Sequence, residues 1–144
     1  SFNIFLGKII NYQSGMIPIY DPKVVTSKNN VYLIGDSATQ VKATTYGGII
    51  QSLLAAKEMS KSFENYDKNW RKVIGGDLWT SLYARKIMDK FSKKDYNELV
   101  RLFTQKRLKK VLEKNDRDYP SRFIFQLLLK EPRLLKFLKY TLFN

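Results

Sequence analysis

The sequence contains no cysteine and no histidine. Without cysteine there is no disulfide, no thiolate nucleophile and no sulfur-ligated metal centre. Without histidine there is no Ser-His-Asp catalysis and no His-ligated zinc, and proton chemistry falls to Asp, Glu, Lys, Tyr or water. The lack of cysteine fits a reducing compartment. No run reaches the ~20 apolar residues of a spanning helix. No basic leader precedes the apolar start SFNIFLGKII, which does not begin with Met and reads as an internal strand exposed by truncation. The expected location is cytoplasmic. Nor is there a GxGxxG after a strand, so the dinucleotide fingerprint is missing.

What is present is one ordinary domain's worth of chain, 144 residues with 44% hydrophobic content, which excludes disorder as the default. The net charge is +13, and it is unevenly spread. Up to Ala56 stand four Lys and no Arg against Asp21 and Asp36, whereas from Lys57 onward 22 basic residues face 11 acidic ones. A basic surface favours anionic lipid, nucleic acid or an acidic partner. The plain alternative is a solvated, Lys-rich surface. No nucleic-acid motif accompanies the charge, and most Phe and Tyr fall at core-like spacings, so nucleic acid is not expected as a partner.

The chain is organised around residues 31–57, VYLIGDSATQVKATTYGGIIQSLLAAK. Residues 31–34 are short, apolar and β-prone, a buried strand. Gly35 breaks it, and Asp36 sits just beyond, where ligand groups gather in α/β folds. Gly47 and Gly48 open a helix expected to run to about Ser62, with Ile49, Ile50, Leu53, Leu54 and Ala56 packing inward. A helix start exposes unpaired N–H groups and the positive end of the macrodipole, and glycine lets a ligand reach them.

Before this stretch, residues 2–10 are β-prone with Gly7 as a candidate bulge, and 16–20 are extended with Pro18 at an edge. Asp21-Pro22 and Ser27-Lys28-Asn29-Asn30 bound a connection. After it, helices are expected across Tyr66, Trp70 and Val73, then from Asp77 to Asp89 following a break at Gly75-Gly76. A third follows the capping-box-like start at Ser92, burying Leu99, Leu102, Phe103, Leu108, Val111 and Leu112. Pro120 opens a turn, residues 123–129 are apolar nearly all round and so buried, and Pro132 starts a last piece.

The central stretch resembles the second flavin-contacting motif of FAD-dependent reductases and hydroxylases, roughly GDAA, several residues, Pro, then a Gly-rich helix start. Within that superfamily it is most similar to the geranylgeranyl reductases, including archaeal enzymes that saturate the isoprenoid chains of ether lipids. The matching residues are Gly35, Asp36, Ser37, Ala38, then Gln40-Val41-Lys42, Thr44-Thr45 and Gly47-Gly48-Ile49. Upstream, Ser14-Gly15-Met16-Ile17-Pro18-Ile19 resembles the family's glycine-to-proline approach to the flavin. Ala43 stands where the family usually has proline, and Tyr46 where it often has glycine.

The resemblance implies an α+β fragment of an FAD/NAD(P)-binding α/β oxidoreductase, with a few N-terminal strands followed by a mainly helical C-terminal region. Residues 1–56 would be the end of the FAD-binding region and 57–144 a basic helical region. The implied cofactor is FAD, held by Gly35, Asp36, Thr45, Gly47, Gly48 and Ile49. Asp36 would accept hydrogen bonds from ribityl hydroxyls, or, without a flavin, cap the turn after Gly35. Main-chain donors over 45–49 would face the flavin N1–C2=O edge, or form an ordinary helix start. Lys42 faces the flavin or an anionic headgroup, or is a solvated loop lysine, the commoner case. No catalytic residue, substrate-binding residue or metal ligand is identified. The implied activity is reduction of isoprenoid C=C bonds of membrane lipid precursors. The implied partners are that lipid and the N-terminal remainder of a larger enzyme, without which this chain alone would be inactive. The basic stretch 121–144 either makes a peripheral membrane contact or packs on that remainder, the second being the commoner arrangement. The alternatives are a related FAD-dependent monooxygenase and a non-catalytic basic membrane- or protein-binding module.

Overall fold

The computed structural model describes residues 10–142. The expected strand over residues 2–10, with Gly7, lies outside them except for Ile10, which is exposed and in no strand. Residues 10–20 carry no regular structure; Ile10, Tyr12 and Met16 are exposed, and Tyr20 is the first buried side chain.

Among the described residues the β content is a single hairpin, β1 (Ser27–Lys28) and β2 (Val31–Tyr32), paired antiparallel with Ser27 opposite Tyr32 and Lys28 opposite Val31. Asn29 and Asn30 have φ of +49° and +62°, the left-handed pair a two-residue hairpin requires and that Asn tolerates best. The connection expected at 27–30 is therefore a strand and its turn. The buried strand expected at 31–34 is corrected too: Val31 is exposed, residues 32–34 are only half-buried, and pairing ends with Leu33 N–H donating to Thr26 C=O at 2.9 Å.

The remaining regular structure of the described chain is helical. A 3-10 turn (Gly35–Ala38) and an irregular loop lead to α1 (Ile49–Lys61) and then to α2 (Tyr66–Met88). The break expected at Gly75-Gly76 does not occur, because α2 buries a stripe on both sides of it: Tyr66, Trp70 and Ile74 before, Leu78 and Leu82 after. Two glycines weaken a helix by about 1 kcal/mol each, less than the ~1.5–3 kcal/mol contributed by each large apolar side chain in the stripe. Asp77 does not cap a helix. It is buried mid-helix and accepts from Ser121 N–H at 2.9 Å and Ser121 Oγ–H at 2.6 Å.

The capping box at Ser92 forms as expected and opens α3 (Lys93–Phe103), with α4 (Lys106–Lys114) following directly. Leu102, Leu108 and Val111 are buried and Leu112 is not. Pro120 opens a 3-10 turn, followed by α5 (Ile124–Lys130), a 3-10 stretch after Pro132 and a terminal turn α6 (Lys139–Leu142). Of 123–129, Phe123 and Leu127 are buried but Phe125 and Leu129 are exposed, so the all-round burial expected there is corrected to one face.

Two apolar clusters result. Tyr20, Ala43, Ala55, Tyr66, Trp70, Ile74, Leu78 and Leu82 form the first, between α1, α2 and the loop. Leu102, Leu108, Val111, Phe123, Leu127, Leu134 and Phe137 form the second. Glu131, buried beside the second cluster, accepts from Arg133 Nε at 2.7 Å and from Arg107. Among the described residues no helix is long and apolar enough to cross a membrane.

Candidate functional site

The loop between β2 and α1 is held from behind by a chain of hydrogen bonds. Gly35 sits at φ +69° and donates its N–H to Gln40 Oε1 at 2.8 Å. Gln40 is fully buried, and its Nε2 donates to the Tyr66 hydroxyl at 3.0 Å. Tyr66 in turn donates to the Leu33 carbonyl at 2.6 Å. A buried amide and phenol thus fix both ends of the 3-10 turn that carries Asp36. Gly35 also backs onto α1: a β-carbon there would lie 3.0 Å from Ser52 Oγ.

The second half of the loop is closed by its own main chain. Lys42 N–H donates to Gly47 C=O at 3.1 Å, and Tyr46 N–H to Lys42 C=O at 2.8 Å, with Tyr46 at φ +54°. Thr44 N–H donates to Ser81 Oγ at 3.0 Å. Lys42 is not a solvated loop lysine. It is buried and ion-paired with Asp118, and a β-carbon at Gly47 would stand 3.3 Å from its Cε.

The loop delivers the chain to α1 without a side-chain cap: Gly48 precedes the helix and no side chain accepts from its first turn. The first four N–H groups of a helix have no intrahelical partner, and they mark the positive end of its dipole. Beside them lies Asp36, exposed, with no hydrogen-bond partner for its carboxylate among the described residues. A β-carbon at Gly48 would stand 3.2 Å from Asp36 Oδ1 and 3.2 Å from Val41 Cγ2, so only glycine leaves this approach open.

An open cleft of about 520 Å³ lies along this helix start, walled by Ile17, Ile34, Tyr46, Ile49, Leu53 and Ala56, with Asp36, Gly48 and Ser52 as its polar and main-chain wall. A second cleft of about 480 Å³ flanks the other side and is lined by Thr45, Gly47, Ile50 and the Lys42–Asp118 pair among others. Asp36, Gly48 and Ile49 therefore share one cleft, and Thr45 and Gly47 open onto the other. Gly35 lines neither; it is a buried support.

The inward packing expected of Ile49, Ile50 and Leu53 is reversed. They are 78%, 39% and 63% exposed, whereas Gln51, Ala55 and Glu58 form the buried face of α1. The sequence signal for the cleft wall was the i, i+4 series Ile49–Leu53 and Ser52–Ala56, read with the opposite face inward. The Gln40–Tyr66 and Lys42–Asp118 links carried no sequence signal, because their partners lie 26 and 76 residues apart, and Tyr66 was read only for its helical spacing.

A glycine-lined, uncapped helix start can donate main-chain hydrogen bonds into the apolar cleft beside it, and the unpartnered Asp36 carboxylate can accept from hydroxyls there. Over 79% of its length the chain is 30% identical to digeranylgeranylglycerophospholipid reductase 2 of Methanothermobacter thermautotrophicus, covering 34% of that protein. Over 90% of its length it is 26% identical to the digeranylgeranylglycerophospholipid reductases of Methanococcus aeolicus and of Methanocaldococcus jannaschii, covering 35% of each. The chain is geranylgeranyl reductase-like, and it spans about a third of the length of these curated relatives. No family model matches it, and no solved structure does.

Proposed function

We propose that this chain is the C-terminal part of an FAD-dependent reductase that saturates isoprenoid C=C bonds of membrane lipid precursors. The observation that carries the reading is the bare start of α1, where Gly48 leaves the first-turn N–H groups and the Asp36 carboxylate facing one cleft. The residues fit the group: a larger side chain at 48 would fill the space the flavin edge needs.

When bound, FAD supplies the two-electron reduction; the chain's own part is placement. Main-chain N–H groups at Gly48 and Ile49 would hold the electron-rich edge of the ring, where the α1 dipole would favour negative charge without reorganisation. Asp36 would accept from the ribityl hydroxyls, an ionised acceptor against neutral donors. Thr45 and Gly47 shape the loop over the second cleft. Ile17, Ile34, Ile49 and Leu53 exclude water from the first. The nucleotide end of FAD would be held by the N-terminal remainder of a longer enzyme, a reading supported by the chain's covering 34% of its Methanothermobacter relative.

The test is the visible spectrum of the full gene product carrying this chain. A flavin spectrum, with flavin content largely lost in Gly48→Val while the far-ultraviolet circular dichroism stays unchanged, supports the reading. A colourless product overturns it. Anaerobic reduction of a prenyl lipid, against oxygen-dependent hydroxylation, separates the reductase from a monooxygenase.

A further inference from the structure

The second apolar cluster presents a surface that the flavin reading does not use. α5 exposes Phe125 (73%) and Leu129 (81%), one helical turn apart and so on one face. The residues next in sequence, Gln126 and Lys130, line a cleft of about 310 Å³ together with Lys110, Lys114 and Asn115 from the α4 side. No carboxylate lines this cleft. Lys110, Lys114 and Lys130 make no ion pair among the described residues. The nearby carboxylates are already engaged, Glu113 by Lys109 at 3.8 Å and Glu131 by Arg133 and Arg107. Charge is thus left uncompensated on one side of an apolar ridge. α4 itself carries Lys106, Arg107, Lys109, Lys110 and Lys114 against Glu113 alone.

We infer that the α4–α5 surface docks on an anionic phospholipid bilayer, with Phe125 and Leu129 entering the acyl boundary and Lys110, Lys114 and Lys130 gripping a headgroup phosphate in the cleft between the helices. The argument is charge complementarity joined to geometry. A protein partner recognised by this patch would have to bring its own carboxylates and a pocket for two exposed side chains, whereas an anionic bilayer supplies both charge and apolar depth along one plane. Long lysine stems reach a headgroup while Phe125 and Leu129 sit lower. The inference stands apart from the flavin reading, since none of these residues lines either cleft at α1.

The experiment is sedimentation of the full gene product with phosphatidylcholine vesicles, with and without phosphatidylglycerol. Binding is expected only with the anionic lipid and is expected to fall as salt rises. Replacing Lys110, Lys114 and Lys130 by Gln together should weaken partition on the order of 100-fold, from about 1 kcal/mol per lysine near a charged surface. Phe125→Ser with Leu129→Ser should weaken it about tenfold or more. The exposed pair Lys68 and Lys72 on α2, changed to Gln, should leave binding as it was. Circular dichroism confirms that each variant is folded. Equal binding to neutral vesicles, an undiminished triple variant, or a serine pair without effect would each overturn the inference. So would release from vesicles by inorganic phosphate at low ionic strength, which would assign the cleft to a soluble phosphate. Failure of the three lysines to react with an amine reagent in the full product would overturn it as well, by showing the surface covered by protein.

Discussion

Tyr66→Phe isolates the support that holds the candidate site. The substitution preserves the ring, which is fully buried against Trp70 and Ala43, and removes only the hydroxyl. That oxygen donates to Leu33 C=O at 2.6 Å and accepts from Gln40 Nε2 at 3.0 Å. Two net hydrogen bonds at about 1 kcal/mol each are lost, and a buried amide N–H is left unpaired, so the expected cost is about 2–3 kcal/mol. For a chain of this size, with a urea slope of about 2 kcal/mol per molar, the midpoint should fall by about 1–1.5 M. Gln40→Met should be less than additive with it, since both act on one network. The local readout is amide exchange at Gly35, whose N–H is held by Gln40 Oε1 and should open more readily. Burial also raises the Tyr66 phenol above its ordinary 10.0. The unfolded chain therefore releases that proton first, and stability is full below pH 10 and falls as pH rises beyond it. Tyr66→Phe should flatten that alkaline slope, leaving the part due to Tyr20, which burial raises likewise. A loss under 0.5 kcal/mol, with exchange at Gly35 unchanged, would refute the claim that this network holds the loop.

Asp118→Ala leaves the buried Lys42 without its opposite charge and should cost about 3 kcal/mol by urea denaturation, with Lys42→Met in the same chain restoring much of it. Gly75→Ala and Gly76→Ala should each stabilise by up to about 1 kcal/mol, because both lie inside α2, where a β-carbon at 75 makes ordinary contact with Arg71 and one at 76 meets open space; thermal melts giving a loss instead would mean that α2 needs its glycines. In acid, Asp95 is held at about 2 by Ser92 and then Tyr140, and Glu131 at about 2 by Arg133 and then Arg107. Both folded values are depressed, so their stabilisation is present above the ordinary 3.8 and 4.5 and is lost as pH falls toward 2. Glu131→Gln should flatten the acid-unfolding slope over that range.

The parts of the fold that were legible in sequence rest on local chemistry. Ser92 and Asp95 form their capping box because both partners are three residues apart. Pro120 opens its turn because its φ and missing N–H suit a first position. The glycines at 47 and 48 mark the start of α1 because a bare helix start is a local property. The parts that were not legible depend on what lies across space. Gly75-Gly76 looks like a break until α2 is seen to be pinned by Trp70 and Ile74 before it and Leu78 after it. Asn29-Asn30 looks like loop until two positive φ angles turn it into a hairpin.

α1 shows most clearly why a site hides from periodicity. Its apolar residues Ile49, Ile50 and Leu53 obey helical spacing, and that spacing alone says they face a core. The core they were assigned to is met instead by Leu54, Ala55 and Met59, with Gln51 and Glu58 buried on α1 as well. Gln51 can be buried there because its Nε2 reaches Asp118 C=O at 3.4 Å, and Glu58 because it pairs with Lys61. α1 does turn Leu54, Ala55 and Met59 to the first cluster, as expected of Leu54, but its two isoleucines and Leu53 face outward. It is amphipathic toward the cleft that runs along Gly48 and Asp36, which is why the reversed packing and the uncapped start bear on the same question. Leu53→Asp separates the two roles. It should leave the urea midpoint of this chain within about 0.5 kcal/mol, as for other exposed positions, while lowering flavin retention in the full gene product. Equal loss of stability and flavin would return Leu53 to the core and remove the cleft from the argument.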